Sequence, residues 1–240
     1  MLVGLGAGLY GQEMPTPALN TPYAWRGPTA SATDDILQPV STTLVEDFED
    51  RDLTGWWGFG ELLFSVVENS AGQYEPTIQG RSVRLEGQAN DRYIGGCGRV
   101  LGLDSSRFNA IKLLIKGNLP RKSGTLIVEL YPSQDDAWLK ESEERRRWFL
   151  KYEHRYTYTL EINWKGWRLV TIPFKAFLKD GARVRHLLYN PSTNTGAGTL
   201  IQLQFLILSG TKKGRADFQV DSISFIKDPN IQSVPGLLDY

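Results

Sequence analysis

The sequence predicts an all-β sandwich, and three observations carry that prediction. About nine segments of strand length, from Thr43 onward, alternate apolar with polar residues or run apolar throughout. Turn residues separate them at the spacing of a two-sheet sandwich. No strand–helix–strand alternation occurs, which argues against a parallel α/β sheet. Hydrophobic residues make up 41% of the 240 and aromatics 11%, enough to bury a core.

Residues 1–12, MLVGLGAGLYGQ, are apolar and small, but shorter than the ~20 residues that span a bilayer. They read either as the remnant of a secretory signal peptide lacking its basic start, or as a greasy N-terminus. Residues 13–42 hold five of the twelve prolines, Pro15 to Pro39, among Thr, Ser and Ala, and read as an extended linker. The sandwich domain is expected over 43–228, with strands over 43–50, 61–70, 81–87, 108–117, 124–132, 155–163, 166–174, 200–210 and 217–227. Val83 and Leu85 oppose Arg84 and Glu86, and Leu126, Val128 and Leu130 share one side. Tyr156, Tyr158, Leu160 and Ile162 take the core side against Arg155, Thr157, Thr159 and Glu161.

Two segments interrupt the strand pattern. Pro173–Leu178 predicts one short helical turn. Residues 133–154 form a charge-dense insertion in which Glu141, Glu143 and Glu144 precede Arg145, Arg146 and Arg147, an order that favours a short helix. It reads as a solvated excursion or as a partner-binding arm through residues 135–150. Residues 189–199 form a second polar loop with a flexible Gly/Asn/Pro composition, and 229–240 a C-terminal tail.

Lysine plus arginine and aspartate plus glutamate each total 27, so the formal net charge is zero and general nucleic-acid binding is not expected. The neutrality is uneven. Residues 1–120 carry 9 basic and 14 acidic side chains, net −5, and residues 121–240 carry 18 and 13, net +5. Cys97, the single cysteine, excludes an internal disulfide and a multi-cysteine zinc site. No apolar run is long enough for a membrane span.

Several stretches together resemble a known family. Val45–Asp50 followed by Gly55-Trp56-Trp57 looks like the first strand and turn of jelly-roll carbohydrate-binding modules. Cys97–Leu101 and Phe108–Lys112 are similar to their middle strands, and Trp167–Phe174 and Phe218–Phe225 to strands near their C-terminal end. The likeness is to the family-11 modules, which share a galactose-binding-like sandwich with the complex I intermediate-associated protein family. It covers roughly residues 43–227, with 133–154 outside it. The resemblance implies a jelly-roll sandwich and a structural calcium between the first and last strands, with Glu49 and Asp221 as its ligands. Asp47, Asp50 and Asp52 are nearby acids. Ser222 stands where the family pattern often has a second acid, so one ligand is missing.

Sugar sites on such sandwiches use a sheet face or the loops at one end, with aromatic rings stacking on sugars and polar groups reading hydroxyls. Alternation nominates Glu129 with Tyr131, Gln202 with Gln204, and Arg84 with Glu86, one hydroxyl-reading surface if their strands adjoin. Trp57, Tyr93 and Trp138 are the loop aromatics that would add stacking.

Elements of catalysis are sparse. His154 and His186 have no nucleophile motif beside them, Cys97 reads as a buried thiol, and the Glu-x-Asp-x-x-Glu strand of laminarinase-like jelly rolls is absent. No phosphate loop or dinucleotide fingerprint occurs. The expectation is a non-catalytic module that binds a polysaccharide or cell-surface glycan. It is secreted or periplasmic if residues 1–12 are a signal remnant, and cytoplasmic if not. The alternatives are a structural or assembly protein, as in respiratory-complex assembly or a filament sheath, and a glycoside hydrolase.

Overall fold

A computed structural model describes residues 41–69, 80–119, 122–133, 155–179 and 188–231, all within one compact unit, Leu37–Tyr240. Two antiparallel sheets enclose the core. The first has the order β3 (Leu63–Glu68), β4 (Arg81–Gln88), β14 (Arg215–Lys227), β6 (Ala110–Gly117), β9 (Gly166–Pro173), with β1 (Ser41–Glu46) also on β14. The second runs β10 (Leu178–Lys179), β8 (Tyr156–Ile162), β7 (Gly124–Ser133), β13 (Thr199–Leu208), β5 (Tyr93–Asp104), β2 (Trp56–Gly60). A small pair, β11 (Tyr189–Asn190) with β12 (Thr195–Gly196), lies apart from both.

Alternation places the core. Leu126, Val128, Leu130, Leu203, Phe205 and Ile207 of the second sheet meet Leu85, Ile111, Leu113, Ile115, Phe218 and Val220 of the first, all 0% exposed. Tyr156, Leu160 and Ile162 are buried on the core side as expected, and the half-buried Tyr158 packs its ring 5.9 Å from that of Phe177. The short helical turn is a 3-10 turn at Phe174–Ala176. At one rim the sheets are clasped. Glu46 of β1 accepts from Arg99 Nη1 at 2.6 Å and from Trp56 Nε1 at 3.1 Å, and Arg99 lies 5.6 Å from the Trp56 ring centre.

Three expectations are corrected. The first strand ends at Glu46 rather than Asp50, because the acids that follow cap backbone N–H groups two residues on, Asp47 to Glu49, Asp50 to Asp52 and Asp52 to Thr54. Phe48 and Arg51 sit there at φ 58° and 63°, outside strand geometry. Cys97, which the resemblance sets at the head of a middle strand, lies inside the twelve-residue β5, and Trp56–Gly60 is a strand of its own. Residues 189–199 fold as a pinned hairpin: the Tyr189 hydroxyl donates to Asn194 Oδ1 at 3.0 Å, and Lys227 Nζ donates to the Asn194 carbonyl at 2.7 Å. Tyr189→Phe is expected to lower stability by about 1 kcal/mol, measured as a shifted urea midpoint with the m-value unchanged.

Candidate functional site

The site is built on the outer face of the second sheet, the side away from the core. Cross-strand partners share a face, so the register alone places its side chains. One row reads Trp57, Gly98, Gln204, Glu129, Thr157, and the next Phe59, Gly96, Leu206, Ile127, Thr159. Val100, Gln202 and Tyr131 lie on the other side of the first row. A last row pairs Tyr93, Leu208, Thr125 and Glu161. With rows ~7 Å apart and strands ~4.8 Å apart, the face measures roughly 20 Å each way.

Glycine is required at two positions here. A β-carbon on Gly98 would lie 2.9 Å from Trp57 Cζ2, and one on Gly96 would strike the Phe59 ring and the Phe205 carbonyl. The two rings of β2 therefore lie down on a glycine floor, which lowers that side of the face and turns aromatic surface upward.

Beside the floor runs a polar chain. Gln202 Nε2 donates to Gln204 Oε1 at 3.0 Å, and Gln204 Nε2 to Glu129 Oε2 at 2.6 Å. The Tyr131 hydroxyl donates to the same Glu129 oxygen at 3.0 Å, and Arg155 Nη1 stands 3.5 Å from Oε1. Glu129 is 1% exposed and Gln202 3%. At the end of the chain the buried Gln202 Oε1 has no hydrogen-bond partner among the described residues. Burial, then the charge of Glu129, pushes the Tyr131 hydroxyl well above the usual tyrosine range, and the same two causes raise Tyr93. Tyr93 is 49% exposed and within electrostatic reach of Glu129.

The structure thus brings together Trp57, Tyr93, Glu129, Tyr131, Gln202 and Gln204. Trp57 and Tyr93 stand on strands, not loops. Arg84 and Glu86 do not join them. They belong to β4 of the first sheet, on its outer side, with the core between. There Arg84 grips Asp217 through Nε at 2.9 Å and Nη2 at 2.7 Å, while Arg215 reaches Glu86 at 2.8 Å. Trp138 and the rest of the insertion beyond Ser133, with His154 and His186, lie outside the described residues. Sequence reasoning missed Phe59, the glycine floor, Val100 and Arg155. Their signal was present in the alternation of Gly96 and Gly98 and of Trp57 and Phe59, but it depends on a register that only pairing reveals.

The acids expected at calcium are close in space. Asp221 is 3% exposed, its Oδ1 accepting from the Ser222 N–H at 2.6 Å. Burial, with the charges of Glu49 and Asp47 added, pushes its carboxyl up to about 6. Glu49 Oε1 accepts from the Arg81 N–H at 2.7 Å. Among the described residues no group of three or more Asp, Glu, His or Cys side chains is arranged to hold a metal ion. Cys97 is buried, and that burial pushes its thiol up to about 12, which keeps it protonated.

With the geometry in place, the chain can be compared with known proteins. Part of an exo-β-agarase superposes with a TM-score of 0.51 at 8% identity, over 79% of this chain and 26% of that one. The fold is a jelly-roll β-sandwich. A family 11 carbohydrate-binding module from Clostridium thermocellum, solved with a β-1,3-1,4-mixed-linked tetrasaccharide, gives a TM-score of 0.48 at 16% identity, over 78% of this chain and 95% of that one. The CBM22-2 xylan-binding domain of Paenibacillus barcinonensis gives 0.40 at 14% identity, over 75% and 96%. No family model matches the sequence, and neither does any curated protein.

Proposed function

We propose that the outer face of the second sheet binds carbohydrate without chemical conversion. One observation carries this reading: two aromatic rings laid on a glycine floor beside a polar chain whose half-buried member, Gln204, is held by Gln202 and Glu129. Sugar hydroxyls meet the chain at the half-buried Gln204 while the ring faces take up the apolar side of a pyranose. The solved neighbours include modules described as binding a mixed-linked glucan tetrasaccharide and xylan, which agrees with such a ligand. The carboxylates also suit binding better than hydrolysis. Glu129 and Glu161, on this face, are two rows apart, ~14 Å by strand rise, beyond the ~5–9.5 Å of a glycosidase pair.

The test is affinity electrophoresis in gels holding soluble β-glucan or xylan, backed by a broad glycan array. Retarded migration is expected, and Trp57→Ala should weaken it about tenfold with the melting temperature little changed. Unretarded migration in every gel together with a blank array overturns the reading. On the same reading the protein is exported, and N-terminal sequencing of protein recovered outside the cell would show processing near Gly11. We also propose that Glu49 and Asp221 hold calcium, a charge that would offset their mutual repulsion.

A further inference from the structure

The last row of the face ends at two interlocked turns. Residues 89–92 follow β4, and residues 209–214 join β13 to β14. The Ala89 N–H donates to the Gly214 carbonyl at 2.9 Å, the Arg92 N–H to that of Lys212 at 3.0 Å, and the Ser209 N–H to that of Arg92 at 2.8 Å. Arg92 sits at φ 62° and is directly followed by Tyr93 of the face. The charged residues of these turns are Asp91, Arg92, Lys212 and Lys213, all exposed. Among the described residues the three cations make no ion pair and no side-chain hydrogen bond. Their neighbours differ: Lys122 is held by Glu161 at 2.8 Å, and Arg215 by Glu86 and Asp217. Three uncommitted cations therefore border the face on the Tyr93 side, against Asp91 in the same turns and the exposed Glu61, whose backbone N–H donates to the Ile94 carbonyl beside Tyr93. Such charges are held in water at little cost, and the backbone zipper keeps them together at the rim.

We infer that the carbohydrate bound on this face is an acidic polysaccharide, whose carboxylate or sulfate groups are met by Arg92, Lys212 and Lys213 as the chain leaves the sheet over Tyr93. This rests on the carbohydrate reading above and adds the class of ligand. Rim charges of this kind attract over about 8 Å at physiological salt, so they raise the affinity for an anionic chain and leave that for a neutral one unchanged.

Three probes are compared by titration at low and at physiological salt: polygalacturonate, which is carboxylated, dextran sulfate, and neutral mixed-linkage β-glucan. The chain is used whole, as wild type, as Lys212→Ala with Lys213→Ala, and as Trp57→Ala. The expected result is binding of an acidic polymer more tightly than the neutral one, weakened by salt and weakened about tenfold in both variants. Which acidic polymer binds tells carboxylate from sulfate recognition. Acidic binding that survives loss of the two lysines overturns the inference. So does acidic binding indifferent to Trp57, which would be adhesion of any polyanion to the turns alone. Binding of the neutral glucan only, equal in wild type and lysine variant, overturns the inference and leaves the carbohydrate reading intact. No binding of any probe overturns the inference, and the carbohydrate reading falls with it only if the gels and the glycan array are blank as well.

Discussion

Asp217→Ala should lower folding stability by about 3 kcal/mol, with Asp217→Asn closer to half of that. Asp217 is 4% exposed at the outer side of β14 and gathers three neighbours. Arg84 binds it through two nitrogens, at 2.9 and 2.7 Å, Asn118 Nδ2 donates at 2.7 Å, and Arg215 Nη2 stands at 3.2 Å. Burial pulls the carboxyl up, but the hydrogen bonds from Arg84 and Asn118 and the two guanidinium charges hold it below the usual carboxylate range. Removing it leaves two guanidinium groups on Glu86 alone and an amide without an acceptor. Arg84 is about a third exposed, so water recovers part of the loss, which is why the figure sits at the low end for a broken buried pair. Urea unfolding measures it. A midpoint shift worth under ~1 kcal/mol would show that the cluster is ornamental to the fold.

Asp221→Asn should do the opposite, and only above pH 4. In the folded chain this carboxyl titrates near 6, above its unfolded value of 3.8, so folding favours its protonated form. The penalty is absent at pH below 4, grows as pH rises through the interval, and is complete above about 6. Two pKa units correspond to roughly 2–3 kcal/mol. The asparagine variant is therefore expected to be more stable than wild type by about that amount at pH 7, and equal to it at pH 3.5. Metal-free protein must be used. If Glu49 and Asp221 hold calcium, adding it raises the wild-type melting temperature and leaves Asp221→Asn unmoved. A variant no more stable than wild type at pH 7 in chelator would show that the carboxyl is hydrated rather than buried.

What could be read in advance followed from local periodicity. Alternation along 126–130 and 156–162 determined which side chains enter the core, because successive residues of a strand must face opposite ways. It likewise determined that Glu129 pairs with Tyr131 and Gln202 with Gln204 on a common side. Strand-length alternation without strand–helix–strand units determined an all-β class. Where local chemistry favoured turns, the reading failed. Gly95–Gly98 lay outside every strand expected from alternation, although two of these glycines serve as the bed of Phe59 and Trp57, a role visible only once β2 lies alongside β5. Asp47 and Asp50 were read into the first strand, although their oxygens are spent on backbone N–H groups two residues ahead.

The order of residues in this chain thus determined by itself a neutral, sandwich-forming sequence with polar pairs on one side of its strands and uneven charge along its length. Tertiary structure alone decided which pairs meet. Glu129 and Gln204 face each other at 2.6 Å because β7 and β13 are neighbours in one sheet. Arg84 and Glu86 carry the same outward alternation, yet they belong to β4, in the opposite sheet. Strand order and register arise from contacts between residues far apart in the chain, and a period of two records which side a residue faces but not which strand lies beside it.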